Sequence, residues 1–211
     1  MKCLLVIAHP LEDSLCRTLA DEVRRVLESA GHEVVEEDLY ARGFDPCLSA
    51  SERRSYYAAQ YDASDVAEEV GRLRLAEAVI LVFPTWWFGF PAILKGWFDR
   101  VWAPGVAYAH DPDFGPIRAR LAGLRHVVAI TTLGAPWWVD RLVLWQPVRR
   151  VLDIALLQTC APRCRLTMLS FYKCERLPAR RVEAFRHTVG RAIVRALRES
   201  GPRPWWQRLL P

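Results

Sequence analysis

The chain has 211 residues, of which 52% are hydrophobic and 25% charged, and this balance excludes a disordered protein and allows one sizeable core. The net charge of +5 is modest and the basic residues are scattered, so the charge does not indicate a nucleic-acid partner. No apolar run approaches the ~20 residues that a membrane span needs, and the six cysteines lack the paired spacing of a zinc site. Because the opening residues also lack the pattern of a signal peptide, we expect reduced cysteines, no bound metal and a cytoplasmic protein.

The first third of the chain alternates between strand and helix patterns. Residues 2–8 form an apolar run that ends at a polar turn and predicts a strand buried on both faces. Asp13 or Ser14 can cap the next helix, whose apolar residues keep the helical period until Gly31 ends it. The elements that follow are an exposed strand, a long connection rich in tyrosine and a second helix, at 33–39, 40–61 and about 63–75.

The segment VILVFPTWWFGFPAILKGWFDRVW dominates the middle of the chain. It predicts a buried strand over 78–83, an aromatic loop, and a helix that begins near Pro91 and carries an apolar stripe to about residue 102. Residues 103–124 are irregular in pattern. The remaining predicted elements are a strand at 126–131, an ambiguous stretch at 136–145, a helix from Pro147, a strand at 165–171 and a helix at about 179–198. The helix from Pro147 is predicted to bury Val148, Val151, Leu152, Ala155 and Leu156.

Strands and helices that alternate in this way predict an α/β fold with one parallel sheet and helices on both of its faces. Five strands suit the flavodoxin-like order 2-1-3-4-5. We expect one domain over residues 1–200, with 201–211 as a tail outside the regular pattern. In such sheets a ligand binds beyond the carboxyl ends of the strands, where the loops after strands 1, 3 and 4 meet.

The first of these loops is the one suited to phosphate. The chain lacks both G-x-G-x-x-G and G-x-x-x-x-G-K-[ST], which disfavours a dinucleotide fingerprint and a P-loop NTPase. The remaining candidate for a phosphate-binding site is the start of the first helix, near residues 13–17, where unpaired N–H groups and the helix dipole favour an anion. His9 can add a donor there, or it can be a turn histidine bonded to nearby backbone.

A flat heteroaromatic ligand would explain the other two loops. Backbone groups of 85–89 and 131–134 can bond the polar edges of a planar ring, and Gly89 and Gly134 permit close approach of the backbone. The aromatic side chains then wall a slot in which a second flat molecule can stack. The alternative places three aromatic residues in the core or at a dimer interface: Trp86, Trp87 and Phe88.

These segments carry a family resemblance. LLVIAHP followed by SL, then PTWWFGFPAILKGWFDRVW, then AITTLG, together resemble the NAD(P)H:quinone reductase (DT-diaphorase) branch of the flavodoxin-like fold, over roughly residues 2–135. The resemblance implies a flavoenzyme with FAD or FMN, and a homodimer whose active sites lie at the subunit interface. It also implies a ping-pong cycle, in which NAD(P)H gives hydride to the flavin and leaves before a quinone-like acceptor takes two electrons from the same slot.

The resemblance also implies site residues by position. Flavin contacts are implied for His9, Ser14, Leu15 and Cys16 in the first loop, for Pro84, Thr85, Trp86, Trp87, Phe88 and Gly89 in the second, and for Thr131, Thr132, Leu133 and Gly134 in the third. Substrate contacts are implied for Trp87, Phe88, Tyr108 and His110. Of these, Tyr108 and His110 are the expected catalytic residues.

The chain departs from the family pattern in its loops and at its end. Cys16 stands where well-known members carry an asparagine, and Leu133 takes the third position of a Thr-Thr-Gly-Gly turn. The Tyr–His pair that some members place after this turn is not found, so a proton relay must use a group such as Tyr108, His110 or water. The C-terminal extension that helps to hold an adenine is also missing, which favours FMN, whereas the family as a whole favours FAD.

Three functions fit these patterns. The first is a two-electron reductase of quinones or related acceptors. The second is a pathway-specific reductase that tailors a quinone-like natural product, with loop 135–146 setting the preference. The third is a flavin-binding regulatory subunit of a membrane system, which the Trp- and Arg-rich tail would serve. We also expect a homodimer, because the connection 40–61 and the helix 91–102 carry more apolar surface than one sheet face needs.

Overall fold

The structure is a computed structural model that describes residues 1–58, 60–110, 115–175 and 177–198, so the predicted tail at 201–211 lies outside the described residues. Its strands are β1 (Lys2–Ile7), β2 (Glu33–Asp38), β3 (Ala78–Pro84), β4 (Tyr108–Ala109), β5 (Arg118–Ala119), β6 (His126–Leu133) and β7 (Arg165–Tyr172). Five of them form a parallel sheet in the order β2-β1-β3-β6-β7, and β4 and β5 form a small antiparallel hairpin. Counted along the chain, the main strands take the order 2-1-3-4-5, which confirms the predicted flavodoxin-like fold.

Helices cover both faces of the sheet. They are α1 (Leu15–Ser29), α2 (Ala50–Ser55), α3 (Ala67–Leu75), α4 (Ala92–Val101), α5 (Pro147–Arg150), α6 (Gln158–Cys160) and α7 (Ala179–Arg198). A short 3₁₀ turn, Ser64–Val66, leads into α3, and π-helical turns span Val139–Val143 and Val151–Leu157. Within the described residues, no helix combines the length and the apolar character needed to cross a bilayer.

Each face of the sheet has its own apolar cluster. On one face, α1 and α7 pack together and bury Leu19, Val23, Val189 and Ile193. The other face is covered by α3, α4 and the segment from α5 to α6, and Trp97 lies fully buried there. Because both faces are covered, the inner strands are continuous apolar runs, and this is why the sequence predicts them well.

The predicted strands and long helices are confirmed with small differences in their bounds. Ser14 rather than Asp13 caps α1, and Gly31 follows the helix with φ +76°, a conformation that glycine adopts without strain. The sequence did not predict α2, which lies inside the long connection, or the β4–β5 hairpin. Both are short elements that depend on contacts with distant parts of the chain.

The helix from Pro147 buries a different face from the predicted one. Val148, Leu152 and Leu157 are buried, whereas Val151 and Ala155 are exposed. The prediction assumed the α-helical period, but the middle of this helix is a π-helical turn with i→i+5 hydrogen bonds. The wider turn rotates the later residues around the axis and moves the apolar stripe.

Helix α4 does not supply the apolar surface on which the homodimer prediction relied. Its apolar side chains are buried within this chain: Ile93, Leu94, Trp97, Phe98 and Val101. The connection from β2 to α3 also packs against α4, because the buried Arg100 donates to Glu52 Oε1 at 2.8 Å and to the Asp45 carbonyl at 2.6 Å. The exposed apolar residues are concentrated elsewhere, between 137 and 154.

Candidate functional site

The loops after β1, β3 and β6 meet at one edge of the sheet. The Ala8 N–H donates to the Val82 carbonyl at 3.0 Å, and the Thr85 N–H donates to the Thr132 carbonyl at 2.8 Å. Pro84 lies opposite Thr132 in the register of β3 with β6. The carboxyl ends of these strands therefore bring together the three predicted flavin segments, 9–16, 84–89 and 131–134.

The N-terminus of α1 presents donors for an anion. Ser14 caps this end, and its Oγ accepts from the Arg17 N–H at 3.2 Å. Among the described residues, the N–H groups of Leu15 and Cys16 have no hydrogen-bond acceptor, and the first turn carries no acidic side chain. Unpaired N–H groups at the positive end of a helix dipole favour a phosphate or a similar anion.

His9 lies beside this helix end and is half-buried. Its Nδ1 accepts from the Leu11 N–H at 3.1 Å, so Nε2 carries the proton of the neutral ring. The Trp86 ring lies 6.3 Å away, between ring centres. The two interpretations of His9 are therefore compatible, because one nitrogen bonds the local backbone while the other stays available as a donor.

Cys16 and three threonines connect the segments. Cys16 is buried, and its Sγ lies 3.7 Å from Thr132 Oγ1. Burial raises the pKa of Cys16 to about 12, so the side chain remains a thiol at neutral pH and does not act as a nucleophile. Thr131 Oγ1 lies 2.5 Å from Thr85 Oγ1. These side chains hold the loops against each other.

The aromatic loop is a tight turn with two residues in the left-handed region. The Gly89 N–H donates to the Trp86 carbonyl at 2.9 Å, and φ is +52° at Trp87 and +56° at Phe88. Positive φ at both central residues indicates a type I′ turn, which normally takes asparagine and glycine. Bulky residues in this region are strained, and such strain clusters at ligand sites. Trp87 is 100% exposed, so the interpretation of Trp87 as a core residue is wrong.

The strain at this turn can be measured by two substitutions of Trp87. Both Trp87→Gly and Trp87→Ala remove an exposed side chain, but only glycine adopts positive φ at no steric cost. We expect the glycine variant to have the higher free energy of unfolding, by about 0.5–1 kcal/mol, in urea denaturation. The control is Leu75, an exposed residue of α3, where glycine should instead be less stable than alanine. Equal stabilities at Trp87 would contradict a strained turn.

The third segment is covered by a carboxylate that no sequence pattern predicts. A Cβ added at Gly134 would lie 2.8 Å from Glu175 Oε1, so the close approach at this glycine is made by the Glu175 side chain. The N–H of Cys174 donates to the Leu133 carbonyl at 3.0 Å, which fixes the loop after β7 against the turn. At Gly89 an added Cβ would meet only the Trp86 carbonyl, at an ordinary 3.6 Å.

A tyrosine and an aspartate anchor the loop that follows Gly134. Tyr172, the last residue of β7, donates from its hydroxyl to Asp140 Oδ2 at 2.8 Å. Burial raises the pKa of Tyr172, and the hydrogen bond to Asp140 raises it further, so the hydroxyl stays protonated. Asp140 is buried within the π-helical turn Val139–Val143. No sequence spacing predicts this pair, because the two residues come from different elements.

Tyr108 and His110 lie together, apart from the aromatic turn. Their rings are 5.3 Å apart and nearly perpendicular, and the His110 ring lies 5.1 Å from that of Tyr57. Among the described residues, neither ring pairs with the ring of Trp86, Trp87 or Phe88. The chain therefore assembles the predicted flavin segments at one edge but does not pair the rings of the two predicted catalytic residues with those of the turn.

Comparison with known proteins shows which family model and which relatives the chain is similar to. The family model described as flavodoxin-like fold matches residues 1–188. NAD(P)H dehydrogenase [quinone] 1 of Rattus norvegicus is 35% identical over 152 residues, which are 64% of this chain and 54% of the rat protein. The chain thus spans little more than half the length of the curated relative.

Two further relatives extend the comparison. Ribosyldihydronicotinamide dehydrogenase [quinone] of Homo sapiens is 34% identical over 151 residues, 63% of this chain and 64% of that protein. The solved NAD(P)H:quinone oxidoreductase of Methanothermobacter marburgensis superposes with a TM-score of 0.82 at 27% identity, over 95% of this chain and 98% of the other. The similarity thus covers nearly the whole length of this solved relative.

Proposed function

This chain belongs to the flavodoxin-like fold family, and on that premise we propose that it is a flavin-dependent NAD(P)H oxidoreductase that reduces quinones or related acceptors. The observation that carries the proposal is the exposed, strained turn at Trp87 and Phe88, beside a helix N-terminus suited to phosphate. The names of the Rattus norvegicus and Methanothermobacter marburgensis relatives support the same reaction, electron transfer from NAD(P)H to a quinone. A ping-pong cycle follows if donor and acceptor use one slot in turn.

The residues at this edge fit a flavin. Within the described chain, the N–H groups of Trp87 and Phe88 have no hydrogen-bond acceptor, as is also true of Leu15 and Cys16. The first pair can bond the polar edge of a flat ring, and the second pair can hold a phosphate. FMN and FAD both provide these two groups, so the proposal covers either cofactor.

The protein would bind and orient the flavin and the substrates, while the flavin supplies the two-electron redox chemistry when bound. The α1 N-terminus holds the phosphate, and His9 Nε2 adds a donor. The Trp87 ring forms one wall of the slot in which the nicotinamide and then the quinone lie flat. Water is excluded from the slot when these flat molecules fill it.

Tyr108 and His110 remain the proposed catalytic pair. Burial raises the pKa of Tyr108, so its Oη keeps its proton and can donate it to a reduced acceptor. Because these rings pair with each other and with Tyr57 rather than with the rings of the aromatic turn of the same chain, we place them at the slot of a second copy. The homodimer and the reaction are thus linked in this proposal.

Flavin binding tests the proposed function most directly. We expect the purified chain to bind FMN or FAD, seen as quenching of flavin fluorescence in titration, and then to oxidise NAD(P)H when a quinone is added. Ser14→Ala should weaken flavin binding, because it removes the cap that orders the α1 N-terminus. If a protein that is folded by circular dichroism binds neither flavin, the proposed function is wrong.

The exposed apolar surface between 137 and 154 predicts where two copies meet. Apolar patches of this kind mark interfaces in soluble proteins. We expect light scattering at micromolar concentration to give the mass of a dimer, and Leu142→Asp to shift it toward the monomer, because a charge would be buried in the interface. Leu75→Asp is the matched control, since both leucines are 63% exposed but Leu75 lies in α3, outside this surface. A monomeric mass for the parent chain would contradict the prediction.

A further inference from the structure

A groove between α1 and α7 is not used by the proposed reaction. Its volume is about 570 Å³, and its walls come from Glu22–Val26 of α1 and from the second half of α7. Helix α1 begins at the ligand edge and runs away from it, so Glu22 lies about 12 Å along the helix from Ser14. The groove is therefore separate from the three loops of the candidate flavin site.

The floor of the groove combines aliphatic side chains with the buried Glu22 carboxylate, and a glycine brings its walls together. A Cβ added at Gly190 would lie 3.2 Å from Glu22 Oε1 and 3.4 Å from Val26 Cγ2, closer than most Cβ contacts in proteins. Glycine thus lets α7 close onto α1 at this point. Val26 and Val194 line the groove and are half-buried, which leaves aliphatic surface open to a ligand.

The rim of the groove is strongly basic. Arg25 contributes from α1, and Arg191, Arg195 and Arg198 contribute from α7. Arg25 binds the buried Glu22 at 2.5 Å. Within the described chain, Arg191 and Arg198 form neither an ion pair nor a hydrogen bond through their guanidinium groups.

Arginines elsewhere on α1 are neutralised. Arg17 binds Asp21, Glu36 and Asp38, and Arg24 binds Asp21 and Glu36. The arginines of α1 outside the groove are therefore paired, whereas Arg191 and Arg198 of the groove have no partner among the described residues.

Helix stability alone does not account for the row of arginines on α7, which consists of Arg191, Arg195 and Arg198. Arg191 and Arg195 are four residues apart, and Arg195 and Arg198 three apart, so like charges repel along one face of α7. Arginine in the last turn complements the helix dipole, which explains Arg195 and Arg198. Arg191 lies before that turn, where the dipole gives no compensation, and its guanidinium has no partner within the described chain, so a bound anion would provide its counter-charge.

We propose that this groove binds a small organic anion with an apolar body and two anionic groups, such as phosphates or sulfonates. The volume is within the range of small-molecule pockets, roughly 300–1,000 Å³. The apolar body lies on Val26 and Val194, and the anionic groups pair with the guanidinium groups at either end of the row. Arg191 and Arg198 are about 10 Å apart along the helix axis, a separation that suits two charges on one ligand.

Naphthalene-2,6-disulfonate is a suitable probe, measured by isothermal titration calorimetry on the full chain with and without added FMN. We expect saturable binding in both conditions, and a Kd at least tenfold higher in the double variant Arg191→Gln/Arg198→Gln. Arg163→Gln is the control, because Arg163 is an exposed arginine in the turn before β7. It should leave the Kd unchanged, and thermal melts check that all variants are folded.

Three results would overturn the proposal. They are the absence of binding, binding that the double variant leaves unchanged, and inorganic tripolyphosphate binding as tightly as the disulfonate, which would remove the role of the aliphatic side chains of the floor. The groove and the flavin site are tested separately, because failure to bind FMN with disulfonate binding intact would reject only the proposed function. In NMR titrations, the probe should shift the amide signal of Gly190 in the parent chain but not in the double variant. This difference would locate the probe in the groove.

Discussion

Replacing Arg100 with alanine should lower the free energy of unfolding by about 3–5 kcal/mol, the largest stability loss that we expect from a polar residue in this chain. Arg100 and Glu52 are an almost fully buried ion pair, with side chains 5% and 2% exposed. Truncating the arginine leaves a carboxylate buried without its counter-charge. It also removes the donor to the Asp45 carbonyl, so the connection between β2 and α3 loses its attachment to α4.

The pH dependence of this pair follows from Glu52. Burial opposes ionisation of the carboxylate, but hydrogen bonds from the Ser49 N–H and from Arg100 outweigh it, and the pKa of Glu52 is lowered. A lowered pKa in the folded state gives stability that is present above the usual glutamate pKa and is lost as the pH falls through the folded value. The difference between the parent chain and Arg100→Ala should therefore shrink on acidification.

An exposed pair on the same helix provides the control. Lys95 and Asp99 are joined at 2.6 Å, but their side chains are 57% and 44% exposed. Lys95→Ala should change the free energy of unfolding by about 0.5 kcal/mol or less, because water replaces the lost partner. Urea denaturation of both variants gives the comparison. If Arg100→Ala costs no more than Lys95→Ala, the buried pair does not anchor the connection.

The sequence predicts the parts of this fold that follow from the periodicity of apolar residues and from the order of strands and helices along the chain. The five main strands and the helices α1, α4 and α7 have strong apolar patterns, and the strand order follows from their alternation. The three loops at the ligand edge are consequences of that order. The sequence therefore places His9, Trp87 and Thr131 at one edge before any contact is known.

The sequence does not predict features that depend on tertiary contacts. The π-helical turn Val151–Leu157 moves the apolar face of its helix, and the residues themselves give no sign of the change in period. Glu175 covers Gly134 only because the loop after β7 returns to the turn. The positive φ of Trp87 and Phe88 contradicts their own preferences, so only the surrounding structure can hold them there. Local rules fail most clearly at the candidate site, and strain of this kind is typical of ligand sites.

Replacing Trp87 with alanine should reduce kcat/KM for quinone reduction ten- to hundredfold, about 1.4–3 kcal/mol of transition-state stabilisation. The fully exposed indole makes no packing contribution to the core. As a wall of the slot it would hold the nicotinamide and the quinone against the flavin, so its loss affects both half-reactions. The free energy of unfolding should change by no more than about 0.5 kcal/mol, as for other surface substitutions.

Trp145 provides the matched control for this substitution. It is 69% exposed and has φ +57°, so Trp145→Ala removes the same side chain from the same backbone conformation. Trp145 lies outside the three segments that meet at the strand ends but inside the exposed apolar surface between 137 and 154. At a concentration at which light scattering shows this variant to be a dimer, its kcat/KM should therefore stay within about threefold of the parent value. Equal losses in both variants would indicate that the loop after Gly134 also walls the substrate, which favours a pathway-specific acceptor.

Three measurements on Trp87→Ala separate a slot wall from a structural residue. Flavin stoichiometry should stay at the parent value, because the backbone donors and the α1 N-terminus are unchanged. The melting temperature should also be unchanged, while KM for both NAD(P)H and the quinone rises, since stacking is lost from the bound complexes. A variant with normal flavin content and normal kcat/KM would show that the exposed tryptophan does not take part in the reaction, and the strain held at this turn would then need another explanation.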